Sequence, residues 1–238
     1  MKTLFLILGT LALSFSSCSK KQIPENTALL GLDYYPLTSG KFVIYDVDST
    51  IYNDLPVDTV SYRYRIKEKI ADSFTDNQGQ PAIRLERSIK KFNPVLSYDS
   101  MPWTIKEIWL VNATHKSIQV VEGNVRYTKL IFPVQPNASW NGNAFNTLGD
   151  WEYTYDYVDN SETINGNALS KVVMVTQKDF KTLISYQGYF EKYAKGIGLV
   201  YRQITDIASN NIVPGVPVEN RIENGIIYKQ ILISYGYE

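Results

Sequence analysis

Few side chains in this 238-residue chain could do chemistry, and their types limit it sharply. His115 is the only histidine, so any serine–histidine–acid triad would have to use it. It falls in an expected turn beside Lys116, a poor place to hold an imidazole in one orientation. Cys18 is the only cysteine. If it carries a covalent group, no thiol is left for a disulfide, a metal or a nucleophile. Zinc held by clustered histidines is excluded by count. Carboxylates are what remain. Asp46 and Asp48 share a strand face, and Asp156, Asp159 and Glu162 gather around one strand end. Acid–base work by two carboxyls needs them several ångströms apart in a shielded cleft, which strand alternation alone does not create. The sequence therefore offers no catalytic set, no metal site and no cofactor motif.

Binding chemistry is better represented, since the chain holds 18 tyrosines and four tryptophans. Trp151, Tyr153, Tyr155 and Tyr157 alternate with Glu152, Thr154 and Asp156, and so share one face of a strand. At about 3.3 Å per residue that face runs about 20 Å, enough to stack several sugar rings. The same pattern suits the inward face of a curved sheet, with hydroxyls reaching polar partners at the rim. It also suits the wall of a cavity for a lipid or other apolar ligand. Trp140, in the Asn/Gly-rich loop just before, joins this group as a fifth aromatic.

The elements that must position these residues are strands. Val60, Tyr62, Tyr64 and Ile66 alternate with Ser61, Arg63, Arg65 and Lys67, which predicts Tyr62 and Tyr64 buried and Arg63 and Arg65 in solvent. Asp76-Asn77-Gln78-Gly79 turns the chain into Ile83, Leu85 and Ile89, making a hairpin. Further strands are expected at 41–47, 105–111, 117–122, 125–132, 151–158, 169–176, from about Tyr186 to Ala194, 197–207 and 226–235. The stretch through Trp140, Gly142, Phe145 and Gly149 reads as loop. Ten or eleven strands with short connections and no long helix predict a mainly β fold. The expected architecture is a curved antiparallel meander, a half-barrel or incomplete barrel, with a two-sheet β-sandwich as the alternative.

The first residues carry an address. Met1 and Lys2 precede an apolar run from Leu4 to Leu13, then the small Ser16 and Ser17, Cys18, and polar Ser19-Lys20-Lys21-Gln22. This is the layout of a secretory signal, too short to span a bilayer comfortably. Residues 1–17 are thus expected as signal peptide, 18–33 as a tether and 34–238 as one β domain. With 24 basic and 24 acidic side chains the chain is neutral, and the positive footprint of a nucleic-acid binder is absent.

Phe15-Ser16-Ser17-Cys18 resembles a bacterial lipobox, which implies that Cys18 receives a diacylglyceryl group and becomes the mature N-terminus. Tyr193-Ala194-Lys195-Gly196-Ile197-Gly198-Leu199-Val200 resembles a phrase of uncharacterised exported bacterial β proteins, and Tyr35-Pro36-Leu37 before Gly40 resembles the opening of similar lipoproteins of Bacteroidota type. The two glycines around Ile197 suggest a bend or bulge where backbone meets backbone. Asp48-Ser49-Thr50, Asp58-Thr59-Val60 and Asp99-Ser100-Met101 resemble O-glycosylation acceptors of Bacteroidota, naming Ser49, Thr59 and Ser100. The expected protein is a non-catalytic binding or accessory domain, lipid-anchored to the outer membrane and facing the periplasm, that holds an apolar or glycan ligand. A carboxylate-dependent glycosidase and a structural partner of an outer-membrane complex are the competing readings.

Overall fold

The computed structural model describes residues 30–238, so the signal stretch, Cys18 and most of the expected tether lie outside the described residues. Twelve strands follow one another: β1 (Lys41–Asp54), β2 (Val57–Thr75), β3 (Pro81–Lys91), β4 (Thr104–Ala113), β5 (Ser117–Glu122), β6 (Val125–Ile131), β7 (Ser139–Asn141), β8 (Glu152–Ile164), β9 (Asn167–Lys181), β10 (Ser185–Ala194), β11 (Gly198–Ala208) and β12 (Asn224–Tyr237). They form one antiparallel sheet in the order β6-β5-β4-β3-β2-β1-β12-β11-β10-β9-β8-β7. The sheet curls into a nearly closed barrel with one unsealed seam, and the two-sheet alternative is set aside. The two six-strand meanders join where β1 pairs β12, and the seam lies between β6 and β7. The extra strand is β7, in the stretch read as loop. Its Asn and Trp are held extended because Trp140 registers with Tyr153 of β8.

One main-chain hydrogen bond and a few side chains, not a continuous ladder, close the seam. The Thr128 N–H donates to the Gly142 carbonyl at 2.8 Å, and the Trp140 indole N–H donates to the Thr128 carbonyl at 2.8 Å. Tyr155 spans the gap with one hydroxyl, which accepts from the Ile131 N–H at 2.9 Å and donates to the Ile131 carbonyl at 2.8 Å. Tyr155→Phe should cost about 1–3 kcal/mol, because two part-buried main-chain groups lose their partner. Hydrogen exchange at the Ile131 amide should quicken; an unchanged amide and midpoint would contradict the clasp.

The inward face follows strand parity: Val43, Tyr45 and Val47 of β1 are buried, as are Ile66 and Ile70 of β2. Parity held but its reach did not. Tyr62 is half-exposed, Tyr64 is half-buried, and Arg65 is only partly exposed beside Asp46 and Tyr98. β2 runs on past the end of β3, whose last residue pairs Tyr64, so its outer part has no strand on that side and little core to face.

Alternating strands put alternate connections at the same end. One end collects the loops 76–80, 114–116, 132–138, 165–166 and 195–197, with residues 30–40 packed beneath it. Leu30 and Leu32, expected in the tether, pack on the core, so ordered packing begins ahead of Tyr34. The Tyr34 hydroxyl donates to Asp159 at 2.7 Å, and the Gly196 N–H donates to the Asp33 carbonyl at 2.8 Å. Gly196 sits at positive φ in the β10–β11 turn and Gly198, also at positive φ, opens β11; the register shift opposite Lys192/Tyr193 leaves Val200 of β11 as the extra residue. Opposite this closed end is an open mouth bounded by residues 55–56, 92–103, 123–124, 142–151, 182–184 and 209–223.

Candidate binding site at the barrel mouth

Below the mouth the inward face turns from apolar to charged. Glu191 stands between Tyr189 and Tyr193 on β10, and Arg202 between Val200 and Ile204 on β11, so the pleat that turns those neighbours inward carries the charges inward too. Glu122 ends β5, and Lys129 comes from β6. The four close on one another. The Arg202 guanidinium reaches Glu122 at 3.0 Å and Glu191 at 2.7 Å, and the Lys129 ammonium reaches the same two carboxylates at 2.8 and 3.0 Å. The Tyr193 hydroxyl donates to the other Glu191 oxygen at 2.5 Å. A second buried pair, Glu68 with Arg87 at 2.9 Å, continues the polar layer across β2 and β3.

Burial alone would push the Glu122 and Glu191 carboxyls up. Arg202 and Lys129 outweigh it, and both acids are held below the usual carboxylate range. Their contribution to stability is complete above the ordinary carboxylate pKa and is lost as pH falls through the depressed folded values. The urea midpoint should therefore fall steeply below about pH 4, and Glu191→Gln should flatten that slope. A midpoint indifferent to acid would contradict the charge assignment.

A cavity of about 420 Å³ opens above this floor. Trp151, Tyr153, Tyr127 and Tyr189 wall it, with Leu148 and Ile204, and Gln177 of β9 joins the polar floor. Gln177 is buried, and its Nε2 has no hydrogen-bond partner among the described residues; the same is true of Arg202 Nε. The size and the mix of aromatic wall and few polar groups are those of a small-molecule site. Among the described residues Glu122 and Glu191 are the only carboxylates lining it, and both are salt-bridged and ionised. Neither is poised to donate a proton, which a glycosidase acid must do.

The five aromatics singled out in the sequence divide among three places. Trp151 and Tyr153 line the cavity. Tyr155 and Trp140 clasp the seam, their rings 4.6 Å apart. Tyr157 leaves the face because a bulge in β8 sets two residues against one between Tyr155 and Tyr157; its hydroxyl bonds Glu162. The stretch is thus no 20 Å stacking platform. The ring of Tyr153 is already covered: a Cβ on Gly142 would lie 2.3 Å from it. Gly142→Ala should cost about 1–3 kcal/mol by that overlap, read as a lowered urea midpoint, and an unshifted midpoint would mean the loop yields freely.

The carboxylates noted in the sequence do not converge. Asp46 pairs Arg65 and Asp48 pairs Arg63, while Asp159 pairs Lys195 and Glu162 pairs Lys192. His115 lies at the closed end, away from the cavity. Ser49 is buried at 6% exposure on β1, where the folded domain leaves no room for a glycan. Thr59 and Ser100 are exposed. Sequence reasoning missed Glu122, Lys129, Gln177, Glu191 and Arg202. The signal for Glu191 and Arg202 was there: a charge at an inward parity position, flanked two residues away on each side by apolar ones.

No family model matches the chain, and no curated protein does. Among solved structures it resembles a Bacteroides fragilis protein provisionally described as exported, with a YmcC-like fold, at 9% identity and TM-score 0.42, covering 85% of this chain and 98% of that one. A Parabacteroides distasonis protein provisionally described as a lipoprotein gives 11% identity and TM-score 0.42 over 85% and 98%. A Vibrio parahaemolyticus domain provisionally described as an outer-membrane lipoprotein-sorting protein gives 9% and 0.20 over 84% and 86%. At that identity and superposition the likeness carries no argument about what this chain binds or does.

Proposed function

We propose that this chain is a non-catalytic ligand-binding domain of the bacterial cell envelope, anchored by lipid at Cys18 to the outer membrane on its periplasmic side. The observation that carries the binding role is the cavity at the barrel mouth, aromatic-walled and floored by charges that neutralise one another. The layout of residues 1–21 supports export and anchoring. Thr59 and Ser100 are the acceptor positions at which an exported form could carry glycan. The domain holds a ligand without transforming it.

A ligand that binds only the folded state raises its stability by mass action. Protein isolated from its own envelope should melt above the same protein after denaturation, washing and refolding, by about 5 °C or more for a ligand well above its Kd. Trp151→Ala, which opens the cavity wall, should abolish the difference. Equal melting of isolated and stripped wild type would contradict the binding role.

A further inference from the structure

We propose that the mouth cavity takes a neutral amphiphile head-first, its uncharged hydrogen-bonding head against Gln177 and Arg202 and its apolar body across the loop tips around the mouth. This rests on the reading of the cavity as a binding site and names the class of ligand. Three observations carry it.

The first is the charge of the floor. Glu122 and Glu191 balance Lys129 and Arg202, and each cation already bridges both acids. A cationic head would meet two committed cations, and an anionic head two committed carboxylates, each without a free counter-charge. The second is the pair of buried donors that find no partner among the described residues, Gln177 Nε2 and Arg202 Nε, on side chains lining the cavity; the two atoms lie just beneath its surface, so a head reaches them as those side chains turn toward it. An unpartnered buried N–H is costly, and a hydroxyl, ether or amide oxygen satisfies it.

The third is the rim. Leu55, Val95, Phe145, Leu183 and Ile212 come from five different mouth loops and are between 59% and 89% exposed. Of the exposed large apolar side chains among the described residues, only Tyr235 and Tyr237 lie at the closed end. The rim is continuous with the cavity through Leu148, which is half-exposed and also lines it. A concentration of apolar tips at one pole marks a contact surface. The mouth loops carry Asp99, Asp150, Glu219 and Glu223 against Arg221 as their one basic residue. A second copy meeting rim to rim, or an anionic bilayer, would bring like charges together. An apolar chain running out from a head seated in the cavity covers the tips without that conflict.

The test titrates the whole mature chain, residues 18–238 carrying Cys18→Ser, by calorimetry below micelle-forming concentrations. The probes share a twelve-carbon tail and differ in head: dodecyl maltoside, dodecyl sulfate and dodecyltrimethylammonium, with maltose alone as the fourth. One maltoside per chain should bind at least tenfold more tightly than either charged probe, with no detectable binding of maltose. Gln177→Leu should weaken the maltoside at least tenfold and Leu148→Asp at least fivefold; the second position is half-exposed, so its variant keeps the fold. Charged probes binding as tightly, or both variants leaving the maltoside unchanged, would overturn the proposal. Maltose binding as tightly as the maltoside would keep the cavity as a binding site and end the amphiphile reading. Silence from every probe, with the isolated protein still melting above the stripped one, would do the same. Both failing together would end both readings.

Discussion

Arg202→Met should destabilise the folded domain by about 3–5 kcal/mol, because it leaves two buried carboxylates with half their counter-charge. Glu191 is 1% exposed and Arg202 is its closest cation, at 2.7 Å against 3.0 Å for Lys129. Lys129 cannot replace the loss, since it already contacts both acids. The effect belongs to the broken pair and not to the arginine alone. Replacing both partners, Arg202→Met with Glu191→Met, should therefore recover part of the stability, as buried ion pairs exchanged for packed apolar groups commonly do. Urea midpoints of the wild type, the single variants and the double variant close the cycle. A single-variant loss below about 1 kcal/mol, the value of an exposed pair, would contradict the buried, mutually neutral floor.

Cys18→Ser should move the protein off the membrane altogether. A single acyl chain binds bilayers marginally, whereas two or more hold stably. A diacylglyceryl group on Cys18 should keep the wild type membrane-bound through high-salt washing. The serine variant retains the apolar run before it and loses only the atom that takes the lipid. It should appear in the periplasm, or as uncleaved precursor, with the melting behaviour of the wild-type domain, because the first core residue described is Leu30. Fractionation and intact mass decide it. A wild-type mass matching an unmodified chain that begins at Cys18 or later would end the anchored reading.

The fold was legible because strand parity and short turns are local. Val43, Tyr45 and Val47, or Val173 and Val175, declare their face within a few residues, and successive hairpins leave few ways to order a meander. Parity does not say how far one strand outruns the next, as β2 outruns β3, which is why Tyr62 is exposed while Ile66, on the same face, is buried. The site was much less legible. Its charges read as solvated faces because the cluster is made by two hairpins far apart in the chain: Glu122 and Lys129 share one and Glu191 and Arg202 the other, but Lys129 and Glu191 are 62 residues apart, and Glu122 and Arg202 are 80. Closure of the barrel brings them together, and no window of sequence contains both. The aromatic stretch of β8 was conspicuous for the opposite reason, being local. The bulge that sends Tyr157 elsewhere and the seam that takes Tyr155 are both properties of pairing.

Native mass spectrometry of the wild-type protein, released gently from its own membrane, tests the binding role most directly. Each folded chain should carry one small molecule beyond its covalent lipid. That molecule should leave on gas-phase activation, give the same mass after prolonged incubation, and be missing from Trp151→Ala prepared alongside. A wild-type spectrum showing only the acylated chain, indistinguishable in ligand content from Trp151→Ala, would contradict the account.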